Sequence, residues 1–480
     1  SYIWAQMPGR PTGPKGKICV TFSPYLAEIR FGCGLSPVLD PPADAAALLD
    51  GLSAPDAMVQ RHPIEDFAGF NERILRIQGL YRQRNEAGET AESDRLTEEI
   101  RALRRDTDQS RVRWAMQRCL RWAHTTTGFR ERLVQFWADH FTATGKTDLM
   151  LYSNAAFVES AIRPNLAGRF ADLLIAAVTH PVMLNALDQM NSAGPNSPAV
   201  ARQKNLKGMN ENLAREVLEL HTLGAGGPYG QGDVREFAEL LTGITYRAKH
   251  GGLRYFEGWA EPGAETLLGR TYGAEPGLDN IHDALTDLAR HPATAAHIAR
   301  KLAVHFVADR PDPDLVAHVE RRFTETDGDL AQVYAALLEH PASWAPGLSN
   351  VKPPFDFMAS AGRALNLPDE PAGQMDHGQL YGLLFAPLAL MGQPWAEPSG
   401  PDGWPEEDEA WITPQGLSAR MRWAMDAPQR FRPDLPDPRE FVDQALGPYV
   451  TEPVRFAARA AESRSEAIGL VLSSPAFQRR

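Results

Sequence analysis

Residues 114–146, WAMQRCLRWAHTTTGFRERLVQFWADHFTATGK, decide the fold class. Trp114, Leu120, Trp122, Phe129, Leu133, Phe136, Trp137 and Phe141 recur at helical spacing, so the stretch reads as helical core. Asp139 and His140 sit inside it, between aromatics. A histidine so placed is a core or capping residue, or else a functional one. Adjacent helical residues do not face each other, so Asp139 and His140 serve different surroundings.

Working outward, the same pattern continues on both sides. Upstream, residues 65–123 are helical and highly charged, with GETAESDRLTEEIRALRRDTDQSR reading as a solvated helix or helical hairpin. Downstream, SNAAFVESAIRPNLAGRFADLLIAAVTHPVMLNALDQMNSAG gives helices broken at Pro164 and Pro181. Amphipathic helices return from residue 278 and run to the end of the chain. The class is therefore mainly α. Residues 25–480 read as a single large helical domain with two interruptions. One is an irregular insertion at 247–275, with β-like and turn-like composition. The other is a long Trp/Pro-rich loop at 392–415, whose Trp395, Trp404 and Trp411 require burial. Residues 1–24, with Pro8, Pro11 and Pro14, read as an irregular arm.

The composition bounds the function. Over 480 residues, 43% hydrophobic and 23% charged residues describe an ordinary globular chain with room for a large core. The net charge of −12 argues against a broad nucleic-acid or anionic-membrane surface. No apolar run reaches the roughly 20 residues that span a bilayer. Residues 1–17 carry no apolar stretch of signal-peptide type, which leaves the compartment undecided. The three cysteines, Cys19, Cys33 and Cys119, are too widely spaced for a disulfide framework or a zinc pattern.

Chemistry concentrates in residues 210–243, NENLAREVLELHTLGAGGPYGQGDVREFAELLTG. At α-helical spacing Asn212, Arg215, Glu216 and Glu219 share one narrow sector, while Leu213, Val217 and Leu220 fall on another side. His221 ends this helix. The glycine-rich loop after it follows a helix rather than a strand, and it lacks the Walker lysine and serine, so it reads as a helix cap and connection. Asp233-Val-Arg-Glu236 fits an N-cap with its capping box. A polar face turned inward must pair its carboxylates or ligate something. Arg215 can pair with Glu211, Glu216 or Glu219, which leaves a carboxylate as a general base, or two as oxygen ligands of a divalent cation. With His140 and His221, a mixed His/carboxylate set is a further reading. There is no HExxH, EF-hand or GxSxG spacing. Trp404, between Gly403 and Pro405, suits a stacking platform or a staple for its loop. Arg420 and Arg422 can bind an anionic group or pair with the acidic run Glu406–Glu409.

Several segments occur in a telling order: FWADHF, NENLAREVLELHTLG, DVREFAELLTG, HPATAAHIARKLAVHFV, VKPPFDFMASAGRAL and GPDGWPEEDEAWITPQGLSAR. Together they resemble the bacterial domain-of-unknown-function family 1800, from about Leu26 to the end. The resemblance implies a mainly helical fold and says little of activity. Its members are often exported and encoded beside a sulfatase- or phosphatase-like protein. The resemblance therefore implies a periplasmic or extracellular setting and a partner of that kind. Many members read His-Asp-x-Gly-x-Lys where this chain has Ala260-Glu261-Pro262-Gly263-Ala264-Glu265, so a ligand or base supplied there by relatives is lacking here.

Two functions are consistent with these residues. One is a hydrolase-type enzyme acting on a polar or anionic exported substrate. In it His140, Glu216, Glu219 and His221 form the acid/base or metal cluster, and Asn212, Arg215, Trp404 and Arg420 bind the substrate. The other is a non-catalytic partner or scaffold whose polar helix is a buried structural network. Convergence of the named side chains on one solvent-reachable cavity separates the two.

Overall fold

The computed structural model describes residues 22–202, 208–273 and 275–480. Most of the arm expected over residues 1–24 lies outside the described residues. Where description begins, Ser23 Oγ accepts from Leu26 N (3.4 Å) and opens the helix Pro24–Arg30.

The charged segment is a helical hairpin, Phe67–Ala87 against Ala91–His124. Gly88, at φ +64°, makes the turn that a side chain would resist. The second helix changes character along its length. Near its start Arg95 reaches Glu92 (2.5 Å) in an exposed ion pair, which adds little stability. From Val112 onward it is buried on most sides.

Two apolar cores result. Leu96, Ile100, Leu103 and Trp114 join a first core with Phe31, Phe129, Trp137, Phe170 and Phe306. Met116, Leu120 and Trp122, further along the same helix, enter a second core with Phe357, Trp423 and Phe441. Each fully buried Phe or Leu stabilises the fold by about 1.5–3 kcal/mol.

The helix Gly128–His140 turns Phe129, Leu133, Phe136, Trp137 and His140 into the first core. Trp137 Nε1 donates to the Tyr334 hydroxyl (2.6 Å), which donates to Leu166 O (2.9 Å), so the buried polar atoms are satisfied.

The segment read as β-like and turn-like, a small hairpin or an irregular lobe, holds two hairpins. Ile244–Arg247 pairs antiparallel with Gly252–Tyr255, and Glu265–Leu267 pairs with Arg270–Tyr272. The second hairpin turns at Leu268 (φ +50°) and Gly269 (φ +79°), the positive-φ pair that a tight two-residue turn needs. The long loop holds one short helix, Asp408–Trp411. Trp395 and Trp411 are buried, as their size demanded, and Trp404 is half-buried. No helix among the described residues is long and apolar enough to cross a membrane.

Candidate functional site

The polar helix does not keep one pitch. It is α-helical over Asn212–Glu216 and widens to a π-turn over Val217–Thr222. Leu223 N donates to Leu218 O (3.0 Å), five residues back, and Thr222 Oγ1 donates to Val217 O (2.6 Å). The wider step changes which residues point inward. Leu213, Val217 and Leu218 are buried, and so are His221 and Thr222, while Leu220 is only half-buried. Constant α spacing had placed Leu220 with the apolar side. Such π-turns occur often at functional sites.

His140 and His221 do come together. His140 Nε2 lies 3.2 Å from His221 O, and the two ring centroids are 6.1 Å apart. A third imidazole, His297, has its centroid 6.2 Å from His140, and its Nε2 lies 3.1 Å from Leu220 O. Gly224 (φ +87°) allows this packing, since a Cβ there would sit 2.9 Å from His297 Nδ1. Burial holds His221 down to about 3 and His297 to about 4, with the Lys301 charge adding to both. His140 is lowered in the same way, by burial first and then by Lys301. All three rings are thus neutral at physiological pH. The Nδ1 atoms of His140 and His221 are buried without a hydrogen-bond partner. Among the described residues, this cluster does not bring three donor atoms within 4.8 Å of one another, the spacing a shared cation requires.

The carboxylates of the polar helix lie nearer the surface. Arg215 Nη2 bonds Glu211 Oε2 (3.0 Å), which also accepts from Gln231 Nε2 (2.9 Å). Burial and neighbouring Glu219 raise the Glu216 carboxyl above its usual range, and Asp402 in the long loop adds to the rise. Asn212 is exposed at the helix start. Asp233 is the third residue of its helix rather than the N-cap. Its Oδ2 accepts from Gly230 N (2.9 Å) and its Oδ1 from Leu268 N (2.9 Å). Arg420 lies in the second lobe of packing, donating to Gln478 Oε1 (2.8 Å) and Lys352 O (2.8 Å). It is not brought to His140. Glu406 pairs with His305 instead of with Arg420 or Arg422 (Nδ1 to Oε1 2.8 Å).

The residue that reaches solvent beside His140 is Asp139. The helix Gly128–His140 buries His140 and leaves Asp139 half-buried on its other face, against the long loop. Trp404 N donates to Asp139 Oδ1 (2.9 Å). Gly403 (φ +83°) makes the approach feasible, because a Cβ there would lie 2.8 Å from Asp139 O and Oδ1. Asp139 lines a cleft with Arg118, Gln135, Trp395 and Trp404, which has about 50 Å³ of space open to water. That is room for a few waters or one small polar group. A second, smaller hollow continues from Asp139 and Trp404 to His305, Glu406 and Asp356.

The electrostatics of this cleft are unusual. Burial pushes the Asp139 carboxyl up to about 7, helped by the charge of Glu406 and opposed by the Trp404 N–H and Lys301. Burial also works on Glu406, yet His305 outweighs it and holds that carboxyl below its usual range. Arg132 Nη2 lies 3.3 Å from His305 Nε2, and His305 Nδ1 lies 2.8 Å from Glu406 Oε1, so His305 stands between the guanidinium and the carboxylate. Two neighbouring carboxyls are driven apart by environment, the pattern that separates an acid from a permanent anion. Arg118 Nη2 donates to Gln135 Oε1 (2.7 Å), and its guanidinium lies 5.3 Å from the Trp395 ring centroid. Burial lowers it to about 10, so it stays charged.

Sequence reasoning named His140, His221 and Trp404 as candidates but placed Asp139 only in different surroundings from His140. The signal was FWADHF itself, where an acid occupies the position beside an inward histidine. His297 and Lys301 were legible as an i,i+4 pair on one helix. A family model described as "Protein of unknown function (DUF1800)" matches residues 30–479. No curated protein and no solved structure matches the chain.

Proposed function

The chain belongs to the DUF1800 family, and from that premise we propose that it is a hydrolase-type enzyme whose proton carrier is Asp139. The observation that supports this is a cleft-lining carboxyl held at about 7 beside one kept ionised. A group balanced near the working pH can take a proton from an attacking water in one step and return it to a leaving group in the next. Arg118, a charged guanidinium on the cleft wall, would hold an anionic substituent, with the indoles of Trp395 and Trp404 flanking it. The backbone N–H of Trp404 holds the position of the Asp139 carboxyl. Glu216, whose carboxyl is raised by burial and by the charges of Glu219 and Asp402, lies outside the residues that line this cleft.

The test is hydrolysis of a panel of carboxylic, phosphoric and sulfuric esters bearing a second anionic group. Asp139→Asn is expected to lower kcat by about 100-fold or more with KM little changed. Arg118→Gln is expected to raise KM. A wild-type chain inert across the panel, or an Asp139→Asn variant as active as wild type, would end this reading.

A further inference from the structure

A second constellation lies apart from the Asp139 cleft. His62 follows the short helix Ala57–Arg61, His124 ends the helix Ala91–His124, and Asp369 opens the helix Asp369–Gln374. Three of their atoms form a single triangle. His62 Nε2 is 3.0 Å from His124 Nδ1. Asp369 Oδ1 is 3.2 Å from His124 Nδ1 and 3.5 Å from His62 Nε2.

These edges match those of a coordination polyhedron. Ligand atoms 2.0–2.2 Å from one zinc ion stand about 3.4 Å apart at the tetrahedral angle and about 3.0 Å apart at a right angle. Hydrogen bonding alone explains the triangle poorly. His124 Nε2 lies 2.7 Å from Leu367 O, a carbonyl that can only accept, so the ring proton belongs on Nε2. Nδ1 is then a bare lone pair, and it faces the carboxylate oxygen at 3.2 Å. One proton on His62 Nε2 points along one edge of the triangle and leaves that contact uncompensated. A cation between the three atoms satisfies all of them.

The surroundings hold the donors as metal ligands are held. The His124 ring is fixed by the Leu367 carbonyl, which also selects the tautomer with Nδ1 free. Arg61 Nη2 donates to Asp369 Oδ2 (2.9 Å), leaving Oδ1 turned to the triangle. Arg121 Nε donates to His62 O (2.9 Å) and fixes the backbone that carries the ring. His62 is buried while Asp369 is half-exposed, so the fourth position opens toward solvent.

We propose that His62 Nε2, His124 Nδ1 and Asp369 Oδ1 bind one divalent transition-metal ion of the zinc class. Two imidazoles and one carboxylate suit zinc, cobalt or iron(II) rather than calcium or magnesium, which take oxygen ligands. Three protein ligands leave a position for water or an anionic ligand, with the Arg61 guanidinium beside it. The site also ties helices of the first core to a segment that follows the Pro354–Ala364 helix of the second core. It does not depend on the role given to Asp139.

Cobalt(II) titration of the chelator-stripped full chain, read by visible ligand-field absorption, tests the assignment. One equivalent of cobalt is expected to bind with a band of nitrogen–oxygen ligation and to be displaced by one equivalent of zinc. His62→Ala and His124→Ala are expected to weaken binding by more than about 100-fold, since even lost outer partners cost 10–100-fold. Asp369→Asn covers the case in which the histidine variants fail to fold, because Asp369 is half-exposed, and it too should weaken binding by at least about 10-fold. Thermal melting with and without zinc confirms that each variant is folded. Absence of the cobalt band in the folded wild-type chain would overturn the proposal. So would full-affinity binding in Asp369→Asn or His62→Ala, or binding lost in His221→Ala while His62→Ala keeps it.

Discussion

Asp139 and His140 are neighbours in one helix with opposite fates. His140 is 2% exposed and turned into aromatic rings, whereas Asp139 lines a narrow cleft against the long loop. Burial then acts on both in the direction physics requires, lowering the histidine and raising the acid. For Asp139 the consequence can be measured without knowing a substrate. Its carboxyl moves from an ordinary 3.8 to about 7 in the folded chain. Below pH 3.8 the folded and unfolded chains both carry the proton. As the pH rises from 3.8 to about 7 the unfolded chain releases it first, so this residue costs stability progressively, and above 7 the cost is complete. Asp139→Asn, which does not titrate and can still accept from Trp404 N, escapes that cost. Urea unfolding is expected to show the variant gaining on wild type through this window, by on the order of 1–4 kcal/mol at its upper end. A stability difference that stays flat with pH would mean Asp139 is not held in this state.

The element that matters most is the π-turn Val217–Thr222. Its wider step places His221 and Thr222 inward and lets Leu220 drift toward the surface. The Thr222 hydroxyl supports the turn by donating to Val217 O (2.6 Å), a carbonyl five residues back. Thr222→Val keeps the shape and removes this donor. It is expected to destabilise the chain by about 1–2 kcal/mol in thermal or urea unfolding. A neutral result would place the origin of the turn in its packing alone. The same element shows why the polar face looked different in sequence. Asn212, Arg215, Glu216 and Glu219 share a sector only if the helix keeps 3.6 residues per turn. The structure keeps that pitch for Asn212–Glu216 and then departs from it.

At the scale of the whole molecule, two apolar cores are joined by the long helix Ala91–His124 and by buried charge. Arg132 comes from the first core's helix Gly128–His140, and Asp356 from the second core's helix Pro354–Ala364. Asp356 bonds both Arg132 and Arg480, and all three are about 2% exposed or less. Removing the shared carboxylate strands two buried guanidinium groups. Asp356→Ala is therefore expected to cost about 3–5 kcal/mol, far more than loss of an exposed pair such as Arg95–Glu92. Urea denaturation of Asp356→Ala and Glu92→Ala checks the contrast, and equal losses would mean that the network does not join the cores.

The sequence by itself determined the helical class, the charged, solvated character of the helical segment before Val112, and the need to bury Trp395 and Trp411; it named His140 and His221 as one candidate set, and only the structure brought them together. Periodicity, proline and glycine act within a few residues, so their effects are local and legible. The insertion at 247–275 left a small hairpin and an irregular lobe both open, because its strands are three or four residues long, too short for an alternation to register. Only the tertiary structure decided that Asp139 lines a cleft, that Glu406 answers His305, and that the polar helix changes pitch. It also decided that His62, His124 and Asp369 meet. Arg61 and its partner Asp369 are 308 positions apart, and Asp139 and Trp404 are 265 apart. A pairing at that distance depends on how whole helices pack, and a carboxyl's protonation depends on the solvent that packing excludes. Neither quantity is carried by local pattern.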